Sequence, residues 1–170
     1  MDETKHAMIR LCEQREFEQI VAIINDAAHA YKGVIPEECW KEPYMSRDEL
    51  QHELDAGVAF WGCEKNGKLC AVMGLQAMKD ATLIRHAYVL TAFQRQGIGQ
   101  KLLSHLRGLA KTPILIGTWA DALWAIKFYE KNGFRLISPK RKHPLMQRYW
   151  TVSREQMEVS VVLADAAWPE

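Results

Sequence analysis

The chain has 170 residues, 48% hydrophobic and 25% charged, and 22 Lys and Arg against 21 Asp and Glu leave a formal charge of +1. That length suits one compact domain, residues 1–170, with a real core, and the mixture excludes general disorder. Near-neutral charge argues against nucleic-acid binding, which needs surplus Lys and Arg to neutralise phosphates.

The opening Met1-Asp2-Glu3-Thr4-Lys5-His6 lacks the basic and apolar regions of a signal peptide. The longest uncharged apolar stretch, Leu69–Met78, falls short of the roughly 20 residues that span a bilayer. The expectation is a cytoplasmic protein without membrane contact. Residues 8–14 alternate as a strand does. Phe17, Ile20, Val21, Ile24, Ala27, Ala28 and Tyr31 then mark one helical face, which Gly33 ends. Pro36 and Pro43 keep the next stretch from forming one helix. Ser46-Arg47-Asp48-Glu49 is a capping-box pattern, opening a second helix that stops near Gly57.

Residues 58–65 and 68–78 flank Asn66-Gly67, a turn that tolerates positive φ at both positions and so marks a hairpin. A third extended run covers 82–90. Residues 97–110 carry Leu102, Leu103, Leu106, Leu109 and Ala110 on one helical face. Residues 114–119 read as a buried strand, and 121–132 as a helix that Gly133 caps. Strands at 134–138 and 159–164 close the chain, around an irregular segment with a short helix near 145–150. The order β-α-α-β-β-β-α-β-α-β-β implies an α/β (α+β) fold: a mixed, mostly antiparallel central sheet with helices on both faces.

The informative segment is Ala87-Tyr88-Val89-Leu90-Thr91-Ala92-Phe93-Gln94-Arg95-Gln96-Gly97-Ile98-Gly99-Gln100, a strand leading into a glycine-bearing helix start. Unpaired amides and the helix dipole there favour an anion such as phosphate, and Arg95 adds charge. The absent Cβ atoms of Gly97 and Gly99 let such a group approach. The P-loop pattern is absent, and the third Rossmann glycine position holds Leu102. A helix start that needs small residues for packing alone remains the alternative.

Gln94-x-x-Gly97-x-Gly99 resembles motif A of the GNAT acetyltransferase superfamily, and Ala125-Ile126-Lys127-Phe128-Tyr129-Glu130-Lys131-Asn132-Gly133-Phe134 resembles its motif B. The resemblance implies acetyl-CoA as cosubstrate and no metal. Its pyrophosphate would lie on the amides of Arg95, Gln96, Gly97, Ile98, Gly99 and Gln100. Its pantetheine arm would run along Ala87, Tyr88 and Val89, where two strands splay apart. The acetyl group would pass directly to an amine: a small amine, an amino acid or a protein N-terminus. A CoA-binding sensor or partner module of the same fold, without turnover, is the alternative.

Tyr129 holds the family's general-acid position, though it also shares a face with Ala122, Ala125 and Ile126 as a core tyrosine would. The strand before motif B, Ile116-Gly117-Thr118-Trp119, has no glutamate where many relatives place a base, and Ala122 stands where relatives often use asparagine. That leaves Arg85 and His86 as local candidates, and alternation sends them to opposite faces. His86 is the candidate base, or else a satisfied buried histidine. Arg85 is a candidate contact for a substrate carboxylate or phosphate. In the loop between the first two helices, Trp40 and Tyr44 are candidate acceptor contacts among Glu37, Glu38 and Glu42. The expected partners are a small-molecule or peptide amine, no nucleic acid and no membrane, with a homodimer as the candidate assembly.

Cys12, Cys39, Cys63 and Cys70 show neither a CxxC pair nor zinc spacing. Counting outward from the Asn66-Gly67 turn pairs Lys65 with Lys68, Glu64 with Leu69, and Cys63 with Cys70. The expectation there is two adjacent free thiols rather than a disulfide.

Overall fold

The computed structural model describes residues 7–169. The Met1–His6 segment read above for a leader lies outside them.

The elements follow the expected order; before the last strand the anticipated short helix is longer than expected, and one additional helix follows it. They are β1 (Ala7–Leu11), α1 (Phe17–Ala28), α2 (Arg47–Asp55), β2 (Ala59–Lys65), β3 (Lys68–Ala77), β4 (Thr82–Val89) and α3 (Ile98–Leu109). The chain continues through β5 (Ile114–Trp119), α4 (Leu123–Lys131), β6 (Arg135–Leu136), α5 (Pro139–Tyr149), α6 (Arg154–Glu158) and β7 (Ser160–Ala164). The strands form one sheet in the order β1-β2-β3-β4-β5-β7-β6. β4 and β5 are parallel, joined by the crossover through α3, and the other described neighbours are antiparallel.

Alternation along the strands divides the core. Ile84 and Ile116 face α3 and α4, packing against Leu102, Leu106 and Ile126. Leu83 and Leu115 face the other way, onto Met146 and Tyr149 of α5. Farther along that second face, Ile20 and Ile24 of α1 and Leu50 of α2 cover Phe60 and Val72. Each such buried aliphatic side chain stabilises the fold by about 1.5–3 kcal/mol. Helices therefore lie on both faces, as the order implied.

Several local expectations need correction. β1 ends at Leu11 rather than continuing to residue 14. Ser46 Oγ accepts from the Glu49 amide at 3.1 Å, but the Glu49 carboxylate takes the Ser46 hydroxyl and Lys41 rather than closing the reciprocal cap. The irregular segment after Ser138 is a helix of eleven residues, with Pro139 in its first turn and Pro144 inside it. The Asn66-Gly67 turn has φ of 54° and 75°, as a two-residue hairpin requires.

Two bulges escaped the period-two reading. In the hairpin, Glu64 pairs with Leu69 but Cys63 pairs with Ala71, so Cys70 is the extra residue. Cys70 and Ala71 consequently both enter the α3 side of the core. Between β3 and β4, Val72 pairs with Tyr88 and Gly74 with Arg85, so Met73 stands opposite both His86 and Ala87. His86 adopts φ 55° there. Gly74 makes the close approach possible, since a Cβ would sit 2.9 Å from the Arg85 carbonyl oxygen.

Candidate active site

The parallel pairing of β4 and β5 covers three residues on each strand, Thr82–Ile84 against Ile114–Ile116. β4 continues to Val89 and β5 to Trp119 without pairing, so the facing strand edges keep unpaired backbone groups. A bulge bends the strand that carries it, and the one at His86 lies just past the last paired residue. The resulting wedge is a cleft of about 620 Å³.

One wall is Ala87, Tyr88 and Val89 of β4, and the opposite wall is Ile116, Gly117 and Thr118 of β5. The start of α3 supplies Arg95 and Gly99, and α4 supplies Trp124, Ala125, Phe128 and Tyr129. Gly97 caps α3 in the left-handed region at φ 76°, and Arg95 is left-handed too at φ 63°. The first amide of α3 to bond back within the helix is that of Lys101, to the Gly97 carbonyl, so the amides ahead of it are free to bind an anion. A Cβ on Gly99 would touch the Phe128 ring at 3.6 Å and Val89 at 3.8 Å, whereas one on Gly97 would meet nothing within 4 Å. Gln96, Gly97, Ile98 and Gln100 do not line the cleft; Gln96 instead accepts from Lys65 Nζ at 2.6 Å.

Tyr129 packs between Phe128 and Phe134 and is 7% exposed. It is at once a core residue and part of the cleft wall. Burial, with Tyr31 nearby, pushes its phenol well above the ordinary tyrosine value, so the proton stays in place across the neutral range.

Behind β4 and β5 a second pocket of about 140 Å³ opens on the opposite face of the sheet. Tyr31, Ile84, His86, Tyr88, Gly117 and Thr118 line both spaces, so the two meet where the strands part. Tyr44 enters the smaller pocket and accepts from the Trp119 indole at 2.8 Å. Trp40 does not line it; its ring stacks behind Tyr44 at 5.8 Å and its indole donates to Glu42 at 3.2 Å. The far wall is Trp150 with Gln156 and Ser160.

Arg85 and His86 are not on opposite faces. The bulge rotates the strand between them, and both approach Glu53 of α2 at 3.4 Å. Arg85 also donates to Gln76 at 3.2 Å. Burial lowers the Arg85 guanidinium, with Glu53 opposing. Glu53, Tyr31, Trp119, Trp150 and Gln156 were missed in the sequence because they reach the site from separate elements. Gly117 carried a usable signal, since a Cβ there would lie 3.1 Å from the Trp150 ring.

Comparison with known proteins identifies this architecture. Residues 56–136 match the family model of the acetyltransferase (GNAT) domain. The PaiA N-acetyltransferase of Thermoplasma acidophilum, solved with coenzyme A, superposes with a TM-score of 0.71 at 17% identity, over 94% of this chain and 98% of that one. The ribosomal-protein-S18-alanine N-acetyltransferase of Escherichia coli gives 0.63 at 20% identity, over 96% of each chain. N-acetylglutamate synthase of Neisseria gonorrhoeae, solved with coenzyme A and N-acetyl-glutamate, gives 0.64 at 18% identity, over 96% of this chain and 35% of that one. No curated protein matches in sequence. The chain has the GNAT fold, and its residues 56–136 match the GNAT acetyltransferase domain model.

Proposed function

We propose that the chain is an acetyl-CoA-dependent N-acetyltransferase that transfers acetyl directly to an amine. The observation that carries this reading is the parting of β4 and β5 after Ile84 and Ile116, which leaves a backbone-edged slot between an anion-binding helix start and Tyr129. Acetyl-CoA, when bound, supplies an activated thioester carbonyl.

The protein's own groups divide the remaining work. The amides of residues 95–100 at the start of α3, with Arg95, hold the pyrophosphate. The free edge of Ala87, Tyr88 and Val89 holds the pantetheine amides as a neighbouring strand would. Tyr129 keeps its proton at neutral pH and gives it to the departing thiolate. His86, at the junction of the two spaces, takes the proton that the attacking amine sheds. Amine and cosubstrate enter from opposite faces and meet between His86 and Tyr129.

The aromatic walls of the smaller pocket suit an amine with a flat or aliphatic body. A thiol-release assay with acetyl-CoA tests the reading across an arylalkylamine, a polyamine, free amino acids and a peptide with a free N-terminus. Turnover with one acceptor class supports it. Tight CoA binding without turnover would favour a sensor module, and no CoA binding would overturn the proposal.

A further inference from the structure

Glu53 and His86 carry buried polar atoms that face one another. Glu53 Oε2 and His86 Nε2 lie 3.4 Å apart, and neither makes a well-formed hydrogen bond to a described residue. Both side chains are largely buried, at 17% and 18% exposure. A buried acceptor and a buried ring nitrogen left unpaired are costly, so their juxtaposition calls for a role.

The backbone is bent to produce this meeting. His86 sits at the β4 bulge in the left-handed region, which is unfavourable for a residue with a Cβ. Regular alternation would turn it away from the side on which Arg85 meets Glu53. Phe60 lies along the imidazole, with ring centres 6.0 Å apart and planes 26° from parallel, and so fixes the ring plane. Glu53 is held as a carboxylate: burial works to raise its carboxyl, but His86, Arg85 and His52 together bring it below the ordinary value. Arg85 approaches both of its oxygens at 3.4 Å.

We propose that Glu53 is the positioning residue of His86, with Oε2 holding the ring in its Nε2–H form and Nδ1 left bare for the acceptor amine. This rests on reading His86 as the base. When Nδ1 takes the amine proton, the ring becomes a cation whose Nε2–H already points at a carboxylate. The proton gained at His86 and the one given up by Tyr129 balance over a turnover. Arg85 keeps Glu53 ionised, so its charge is answered within the protein rather than left open to a substrate anion.

The imidazole nitrogens of the full chain, labelled with ¹⁵N, report the tautomer without any ligand. In the wild type at pH 8, His86 is expected to carry its proton on Nε2. Glu53→Gln presents an amide that donates to Nε2 and should drive the proton to Nδ1. With 2-phenylethylamine as the probe acceptor, kcat for thiol release should fall about 10²-fold or more, while KM and CoA affinity change less than about two-fold. Glu53→Asp, which keeps the charge, should restore the tautomer. A bare Nε2 in the wild type overturns the proposal, and that measurement stands even where Glu53→Gln fails to fold. Wild-type kcat in Glu53→Gln beside a slow His86→Asn also overturns it. An undiminished His86→Asn removes instead the reading of His86 as base, while a wild-type Nε2–H spectrum would still support the pairing with Glu53.

Discussion

Beyond the Ile84–Ile116 pair, β4 and β5 stop exchanging backbone hydrogen bonds, although each continues for several residues. Ile84 and Ile116 are both buried on the α3 side, so the sheet is tightly closed up to that point. The wedge past them sets unpaired strand edges opposite a helix start with free amides. A ligand that is a phosphate at one end and a chain of amides along its length matches both features.

The two glycines at this helix start should fail differently. Gly97 has φ 76°, so Gly97→Val strains the backbone by about 1–2 kcal/mol and should lower Tm by roughly 2–8 °C. Gly99 is helical and its Cβ would touch only Phe128 and Val89 at ordinary distances. Gly99→Val should therefore spare stability while narrowing the cleft. Titration calorimetry with CoA should find both variants at least about tenfold weaker, a loss of about 1.4 kcal/mol. Wild-type affinity in both would remove the α3 start from the binding site.

Tyr129→Phe should lower kcat by about 10²–10⁴ and leave CoA affinity unchanged. The variant keeps the ring packed against Phe128 and Phe134, so loss of the hydroxyl should change Tm little. Because burial raises the phenol, Tyr129 does not titrate between pH 7 and 10, and any alkaline loss of activity in that range should persist in the variant. Undiminished turnover in Tyr129→Phe would exclude it as the acid.

What was legible in the sequence came from local chemistry. The apolar face of α1, the Asn66-Gly67 turn and the glycines at the start of α3 each declare themselves within a few residues. Glu53 could not be found that way. It is a carboxylate on a polar helix, and only the packing of α2 onto the sheet brings it to His86. The bulges at Cys70 and His86 broke the alternation rule, which cannot register an extra residue. That one residue reversed the predicted facing of Arg85 and His86. The helix α5 begins well before the expected 145–150: it contains Pro144, yet its Pro139 start and buried Met146 and Tyr149 sustain it.

Gly117→Ala should separate the two halves of the site. The added Cβ would stand 3.1–3.2 Å from three atoms of the Trp150 indole, so the ring must shift by a few tenths of an ångström. Trp150 lines the smaller pocket but not the larger cleft. Steady-state kinetics should show KM for the amine changed several-fold, with CoA affinity held. A change in CoA affinity alone would assign Trp150 to the other face.

Acid stability should report the junction of β1 and α1. Arg10 donates to both oxygens of Glu16 at 2.8 Å and to Glu64 at 2.8 Å, and Glu16 also accepts from the Glu13 amide. The Arg10 hydrogen bonds, working against burial, lower the Glu16 carboxyl to about 2. A depressed carboxyl stabilises fully above its unfolded value, about 4.3, and loses that contribution as pH falls through its folded one. Glu16→Gln should therefore cost about 2 kcal/mol at pH 7, with wild type and variant converging as pH falls from 4.5 to 2. Urea unfolding across that range checks it, and a difference independent of pH would contradict the assignment.

The cysteines of the hairpin give the last prediction. Simple counting places Cys63 opposite Cys70, but the bulge pairs Cys63 with Ala71 and swings Cys70 onto the α3 face. There the Cys70 Sγ donates to the Cys63 carbonyl oxygen at 3.2 Å, and both residues are fully buried. A disulfide would require Cys70 to give up that carbonyl and both sulfurs to turn within a packed core. Burial keeps reagents from this pair. It also pushes the half-buried Cys12 thiol up to about 12, with Glu16 adding to the effect, so little thiolate forms there. Cys39 is half-exposed, and burial and Glu38 raise it as well. Iodoacetamide on the native chain at pH 8 should therefore modify Cys39 first, Cys12 slowly, and Cys63 and Cys70 only on unfolding. Titration in denaturant without reductant should then count four thiols per chain. A count of two, with a Cys63–Cys70 linked peptide in the mass spectrum, would show that the bulge yields to a bridge.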